Sequence, residues 1–228
     1  MKKMVVLIFI ILGSFIYSEG IEQKLSLQGK GIIKLAPDRA DIDFTVLSIN
    51  EDLSKATENN RKIMEQVDNE LKNLSIDKKD IKTKEYSLNR AKENEKDTVS
   101  KYYVRNRFSI TVSDLEKIGS IIAALEKSGV NEVSGLNFYS SKEDEMLKEA
   151  MVLAYKDAYG KAQAVGQEAG YKSIKPLNIE YDYNYMQRQP YMMSLSAMPK
   201  QDVQIYSPES LDLQVNVRTI FLLENDKK

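Results

Sequence analysis

The sequence predicts an α+β protein, a mostly antiparallel sheet with helices packed on one face, in the order ββαββαβαββ. Two patterns carry that expectation. Several stretches alternate apolar and polar residues, most clearly residues 39–49, where Ile42, Phe44 and Val46 face one way and Asp41, Asp43 and Thr45 the other. Other stretches repeat apolar residues at helical spacing, with charged residues between them. A chain of 228 residues with 42% hydrophobic side chains can bury a core of its own.

Residues 24–36 open the fold as a strand in which Gly29 and Gly31 suggest a kink or bulge, and Pro37-Asp38 ends it. After the strand at 39–49, Ser54 is placed to cap a helix running to Leu74, with Ala56, Ile63, Val67, Leu71 and Leu74 on its inner face. Residues 81–89 form a third strand, and the charged stretch 90–101 reads as an exposed turn. Residues 102–112 form a fourth strand that buries Phe108, Ile110 and Val112. Asp114 then caps a second helix carrying Leu115, Ile118, Ile121, Ile122 and Leu125, which Ser128-Gly129 ends. A fifth strand at 132–140 leads to the longest helix, 143–170, acidic at its start and closed by Gly170. Strands at 173–183 and 211–223 complete the order. Between them, residues 184–209 hold Pro190, Pro199 and Pro208 without periodicity, an excursion rich in Tyr and Met. Residues 43–88 and 107–139 each run strand, helix, strand, a faint internal duplication.

Residues 1–20 stand apart from the fold. Lys2 and Lys3 precede an unbroken apolar run at residues 4–12, followed by the small residues Gly13, Ser14 and Ser18. The run is short for a bilayer span, where about 20 apolar residues are usual. It is read as an export signal cleaved after Ser18 or Gly20, leaving residues 21–228 as one domain; the alternative is an uncleaved anchor. The protein is therefore expected in the periplasm or cell envelope. No cysteine follows the run, which argues against a lipid-anchored form. The lack of Cys anywhere also excludes disulfides and thiolate metal sites. With 33 basic against 34 acidic residues the chain offers no field to attract a polyanion, so nucleic acid is not an expected partner.

Three blocks together resemble the SIMPL-domain family, which includes periplasmic immunogenic proteins of bacteria. The first is Gly29-Lys30-Gly31 with Ala36-Pro37-Asp38-Arg39-Ala40. The second is Tyr102 and Asn106 running into Ser109-Ile110-Thr111-Val112-Ser113-Asp114-Leu115 and Gly119. The third is Gly129-Val130-Asn131 through Val133-Ser134-Gly135-Leu136-Asn137-Phe138, ahead of an Ala-rich helix. The resemblance implies an exported, envelope-facing protein that forms homo-oligomers, ring- or channel-like in some members, with a loose link to oxidative stress. It brings no set of catalytic residues.

The residues themselves give catalysis little to work with. The chain has no histidine, the commonest general base and metal ligand. Ser75 and Lys78 fit the spacing of a Ser–Lys acylation pair, but they fall in a polar turn without the partner motifs of that chemistry. Asp41 and Asp43 share a strand face about 7 Å apart, close enough for a cation or a carboxylate pair, or simply the solvated side of a strand. Ala150, Ala154, Ala158 and Ala162 form a smooth helical seam, suited to close packing on the protein's own sheet or to a subunit interface. Tyr181, Tyr183, Tyr185 and Tyr191 cluster with Met186, Met192, Met193 and Met198. Such a segment suits an adaptable interface, packing on its own domain, or soft-metal and redox chemistry. The expectation is a non-catalytic envelope protein that self-assembles, with no cofactor, metal or catalytic residue assigned. The alternative is a stress-protective module binding a small ligand, a metal or a client protein.

Overall fold

The computed structural model describes residues 22–92, 98–181 and 205–225. The elements follow as β1 (Gln23–Leu35), β2 (Arg39–Asn50), α1 (Leu53–Asn73), β3 (Ile81–Ala91), β4 (Lys101–Val112), α2 (Ile118–Lys127), β5 (Glu132–Tyr139), α3 (Glu143–Glu168), β6 (Ser173–Tyr181) and β7 (Leu211–Glu224). This is the predicted α+β order. The strands divide into two antiparallel sheets, β1-β7-β6 with α3 alongside and β3-β4-β2-β5 with α1 and α2. Alternation reveals which side of a strand is buried but not which strand lies next to it. The partition into two sheets is therefore a finding of the structure.

The four-stranded sheet resolves the suspected duplication. β2-α1-β3 and β4-α2-β5 interleave, so each pair of strands holds one strand of the other between them. That is the split β-α-β arrangement of ferredoxin-like folds. Ile42, Phe44 and Val46 of β2 meet Phe108 and Ile110 of β4, Val67 and Leu71 of α1, and Ile121, Ile122 and Leu125 of α2 in one core. Phe44 and Phe108 lie opposite each other in register with ring centroids 5.3 Å apart.

The three-stranded sheet packs against α3 around a second core of Ala150, Ala154, Ala158, Ala162, Val215, Val217 and Phe221. Here the expected kink is absent. β1 pairs with β7 without a break from Gln23↔Leu223 to Leu35↔Leu211. Gly29 and Gly31 serve a different need: a Cβ on Gly29 would sit 2.0 Å from the Ala154 carbonyl oxygen, and one on Gly31 2.0 Å from that of Ala150. The alanine seam thus packs on the protein's own sheet, and the glycines let the two backbones touch.

Helix ends show how local chemistry sets boundaries. Asp52, not Ser54, caps α1, its carboxylate accepting from the Lys55 N–H at 3.1 Å. Asp114 precedes a short 3-10 turn, Leu115–Lys117, and its side chain makes no capping bond; α2 proper starts at Ile118. At the end of α2, Gly129 has φ +86° while Val130 N–H bonds to Leu125 O and Gly129 N–H to Glu126 O. Gly170, at φ +83°, closes α3 the same way through Tyr171 and Gly166.

Gly31→Ala is expected to cost at least about 3 kcal/mol in a urea melt, because backbone meets backbone and no rotamer can relieve the clash. Gly160→Ala, on the open face of α3 with nothing within 4 Å, should instead gain about 1 kcal/mol from helix propensity. Equal effects at the two positions would refute the close-approach argument.

Candidate functional site

The chain passes between the two sheets at residues 36–38 and again at residues 140–142. Asp38 ties the two crossings together. Its carboxylate accepts from the Ser141 N–H at 2.7 Å and from the Ser141 hydroxyl at 2.6 Å, while its own N–H donates to Tyr139 O at 3.1 Å. The Ser141 hydroxyl, then the Ser141 N–H, hold the Asp38 carboxyl below its ordinary 3.8, with Arg39 adding a weaker pull. The Pro-Asp pair that ended a strand in the sequence is thus also a clasp between the halves of the fold.

The structure separates the roles of Asp41 and Asp43. Asp41 Oδ1 accepts from the Thr111 hydroxyl at 2.8 Å and from the Tyr139 hydroxyl at 3.3 Å, which makes it a cross-strand tie. Asp43 Oδ1 is buried without a hydrogen-bond partner, and so is the hydroxyl of Thr45, a residue only 1% exposed. Thr45 was expected on a solvated face, yet it is buried. The cross-strand partners of Asp43 on that face, Ser109 and Gly135, are buried too, whereas those of Thr45, Arg107 and Glu132, are exposed. Among the described residues, no group of three or more carboxylates gathers as a metal site.

Ser75 and Lys78 have separate surroundings in the structure. Ser75 is the residue after the C-cap of α1, at φ +63°, where Ser75 N–H bonds to Lys72 O and Ile76 N–H to Leu71 O. It occupies the left-handed position that Gly129 and Gly170 hold elsewhere. Lys78 reaches away to Asp68, 3.5 Å distant, with its side chain 87% exposed. Lys78 and Asp68 line an open groove of about 550 Å3 with Glu65, Lys72 and Asp77. Charges of both signs face each other there.

Two polar joints escaped the sequence reading. Asn60 sits within the apolar face of α1, 3% exposed, its amide donating to Val46 O and Val104 O at 3.3 and 3.1 Å and accepting from the Asn106 amide at 2.6 Å. The signal was there: Asn60 lies four residues after Ala56, inside the stripe. Asn131 Oδ1 accepts from the Leu47 N–H at 2.6 Å just beyond the point where β5 stops pairing with β2. Met186, Met192, Met193 and Met198, with Tyr183, Tyr185 and Tyr191, lie outside the described residues, as does the expected export signal at 1–20. Tyr181 is described; its hydroxyl donates to Met151 O at 3.2 Å.

The glycine contact, the Asp38 clasp and the Gly129–Asn131 turn fall within the blocks that suggested a family, and the comparison with known families agrees. Residues 25–221 match the family model described as "SIMPL: Protein of unknown function (DUF541)". The chain belongs to the SIMPL family. Among curated relatives, the 26 kDa periplasmic immunogenic proteins of Brucella melitensis and Brucella abortus are each 25% identical to it over 154 residues. Those matches cover 64% of this chain and 62% of each relative, less than two thirds of the relatives' length. No helix among the described residues is long and apolar enough to cross a membrane.

Ser75→Gly should raise the stability of this SIMPL protein by about 0.5–1 kcal/mol in a thermal or urea melt, since glycine adopts positive φ without the Cβ cost. A loss of stability would mean that the Ser75 hydroxyl has a role of its own. Asp38→Asn should cost about 1 kcal/mol at neutral pH, held low by the partial exposure of the clasp. Because the folded Asp38 is held below its ordinary value, its contribution is present above that value and fades as the pH falls through the lowered one. Wild type and variant should therefore converge as the pH falls well below 3.8 in paired urea titrations.

Proposed function

We propose that this SIMPL protein is exported to the periplasm and acts there as a self-assembling structural or interaction protein, not as an enzyme. The observation that carries the reading is the family match over residues 25–221, which starts just past a leader-like stretch. Relatives named as periplasmic proteins support the address. The non-catalytic role draws support from the placement of the sequence's own candidates: Ser75 shapes a helix end, and Asp41 is occupied by two donors. Self-assembly draws support from exposed apolar side chains on strands and helix ends, among them Ile32, Tyr86, Leu88, Leu177 and Ile179. A contribution under oxidative stress belongs to the same reading through the four clustered methionines of residues 186–198, which can absorb oxidant as sulfoxide.

Light scattering on the exported form across a dilution series tests assembly directly. A discrete mass above one chain that survives dilution is the expected result, and a monomer at every concentration would reject it. Cell fractionation tests the address: retention in the cytoplasm would reject export.

A further inference from the structure

Among the described residues, four strand edges border the two sheets, those of β1 and β6 in one and of β3 and β5 in the other. Unpaired edges template pairing with other chains unless they are blocked. Three of these are blocked. On β1, Asp157 Oδ2 accepts from the Lys30 N–H at 2.8 Å and Lys161 Nζ donates to Gln28 O at 3.1 Å, so side chains of α3 occupy the middle of that edge. β6 carries Pro176, which has no N–H, and a bulge at the next residue. β5 has only eight residues and a bulge facing Asp43/Phe44.

β3 differs. It runs eleven residues, pairs among the described residues only with β4, and is exposed at every position but Ile81 and Ser87. Its bulge at Lys84 shifts the alternation, so Ile81 and Thr83 before it and Tyr86 and Leu88 after it all register with Ile110, Phe108, Asn106 and Val104. These four therefore share the sheet face that α1 covers on β2 and β4. Tyr86 and Leu88 remain 58% and 39% exposed there.

This order of residues is complementary to itself. When a second copy runs antiparallel along β3 with the two-fold axis between Lys84 and Glu85, Lys84 faces Glu85 of the second copy and Glu85 faces its Lys84. Thr83 then meets Tyr86, and Ile81 meets Leu88, each pair on a common face. A shift of one residue either way would set Glu85 against Glu85 or Lys84 against Lys84, which like-charge repulsion disfavours. Resting on the self-assembly reading above, we infer that β3 is the docking edge for a second copy of this chain, joining two four-stranded sheets about a two-fold axis.

The test is light scattering with dilution on the exported form of wild type and three sets of variants, with circular dichroism confirming that each is folded. Tyr86→Lys with Leu88→Lys should reduce the assembly to half its mass or to monomer. Lys84→Glu alone and Glu85→Lys alone should each raise the dissociation constant about tenfold. The exchange Lys84→Glu with Glu85→Lys should restore it, since each pair is then rebuilt in reverse. An assembled wild type whose mass none of these variants changes would overturn the β3 edge and leave self-assembly standing. A wild type that is monomeric throughout would overturn both.

Discussion

The fold depends on the backbone of α3 lying directly against the backbone of β1. Ordinary helix-on-sheet packing keeps two layers of side chains between the elements. Here Gly29 and Gly31 remove one layer, and Ala150, Ala154 and Ala158 reduce the other to a methyl group. Close approach brings short side chains within reach of places they would otherwise miss. Asp157 can reach the free Lys30 N–H, and Lys161 the Gln28 carbonyl, only because the helix sits so near. The Asp157 carboxyl is in turn held below its ordinary value, first by Lys161 and then by the Lys30 N–H. One steric choice in β1 thus fixes the helix position and also blocks a sheet edge.

The second constraint is that the chain must leave this layer, build the split β-α-β sheet, and return. It crosses twice, and Asp38 holds the crossings together through Ser141. Between the crossings, α1 and α2 bury the large side chains, while Asn60 bonds to carbonyls of both central strands from inside the apolar face. A buried amide that meets its partners fixes the position of α1 along the strands, which leucine at that place could not do. Asn131 does comparable work at the point where β5 leaves β2.

Much of this was legible in the sequence, and the limits have physical causes. Among the described residues, every strand and α-helix follows the order the sequence predicts, because alternation and helical spacing are local signals. Their ends were harder: Asp52 and Ser54 are both good caps, and only the geometry selects Asp52. The glycines of β1 signalled an irregularity, but a bulge and a close contact leave the same residue type behind. Partition into two sheets rests on β1 meeting β7 across nearly the whole chain, a pairing that no local pattern encodes. The candidate site suffered most. Ser75 and Lys78 match a reactive spacing, yet their spacing says nothing of the left-handed turn that occupies Ser75.

The blocks that mark the family describe joints more than reactive groups. Gly29-Lys30-Gly31 is the helix contact, Pro37-Asp38 the clasp, and Gly129 to Asn131 a helix end followed by a strand tie. Each joint fixes how two elements meet, and each leaves the outward surfaces free to differ. A fold specified at its joints can therefore carry different partners on its edges without changing its frame. In this chain β3 leaves such an edge, where the bulge at Lys84 turns Tyr86 and Leu88 to the face that α1 covers on β2 and β4 and both stay exposed there. Function in such a protein is argued best from the edges it leaves open.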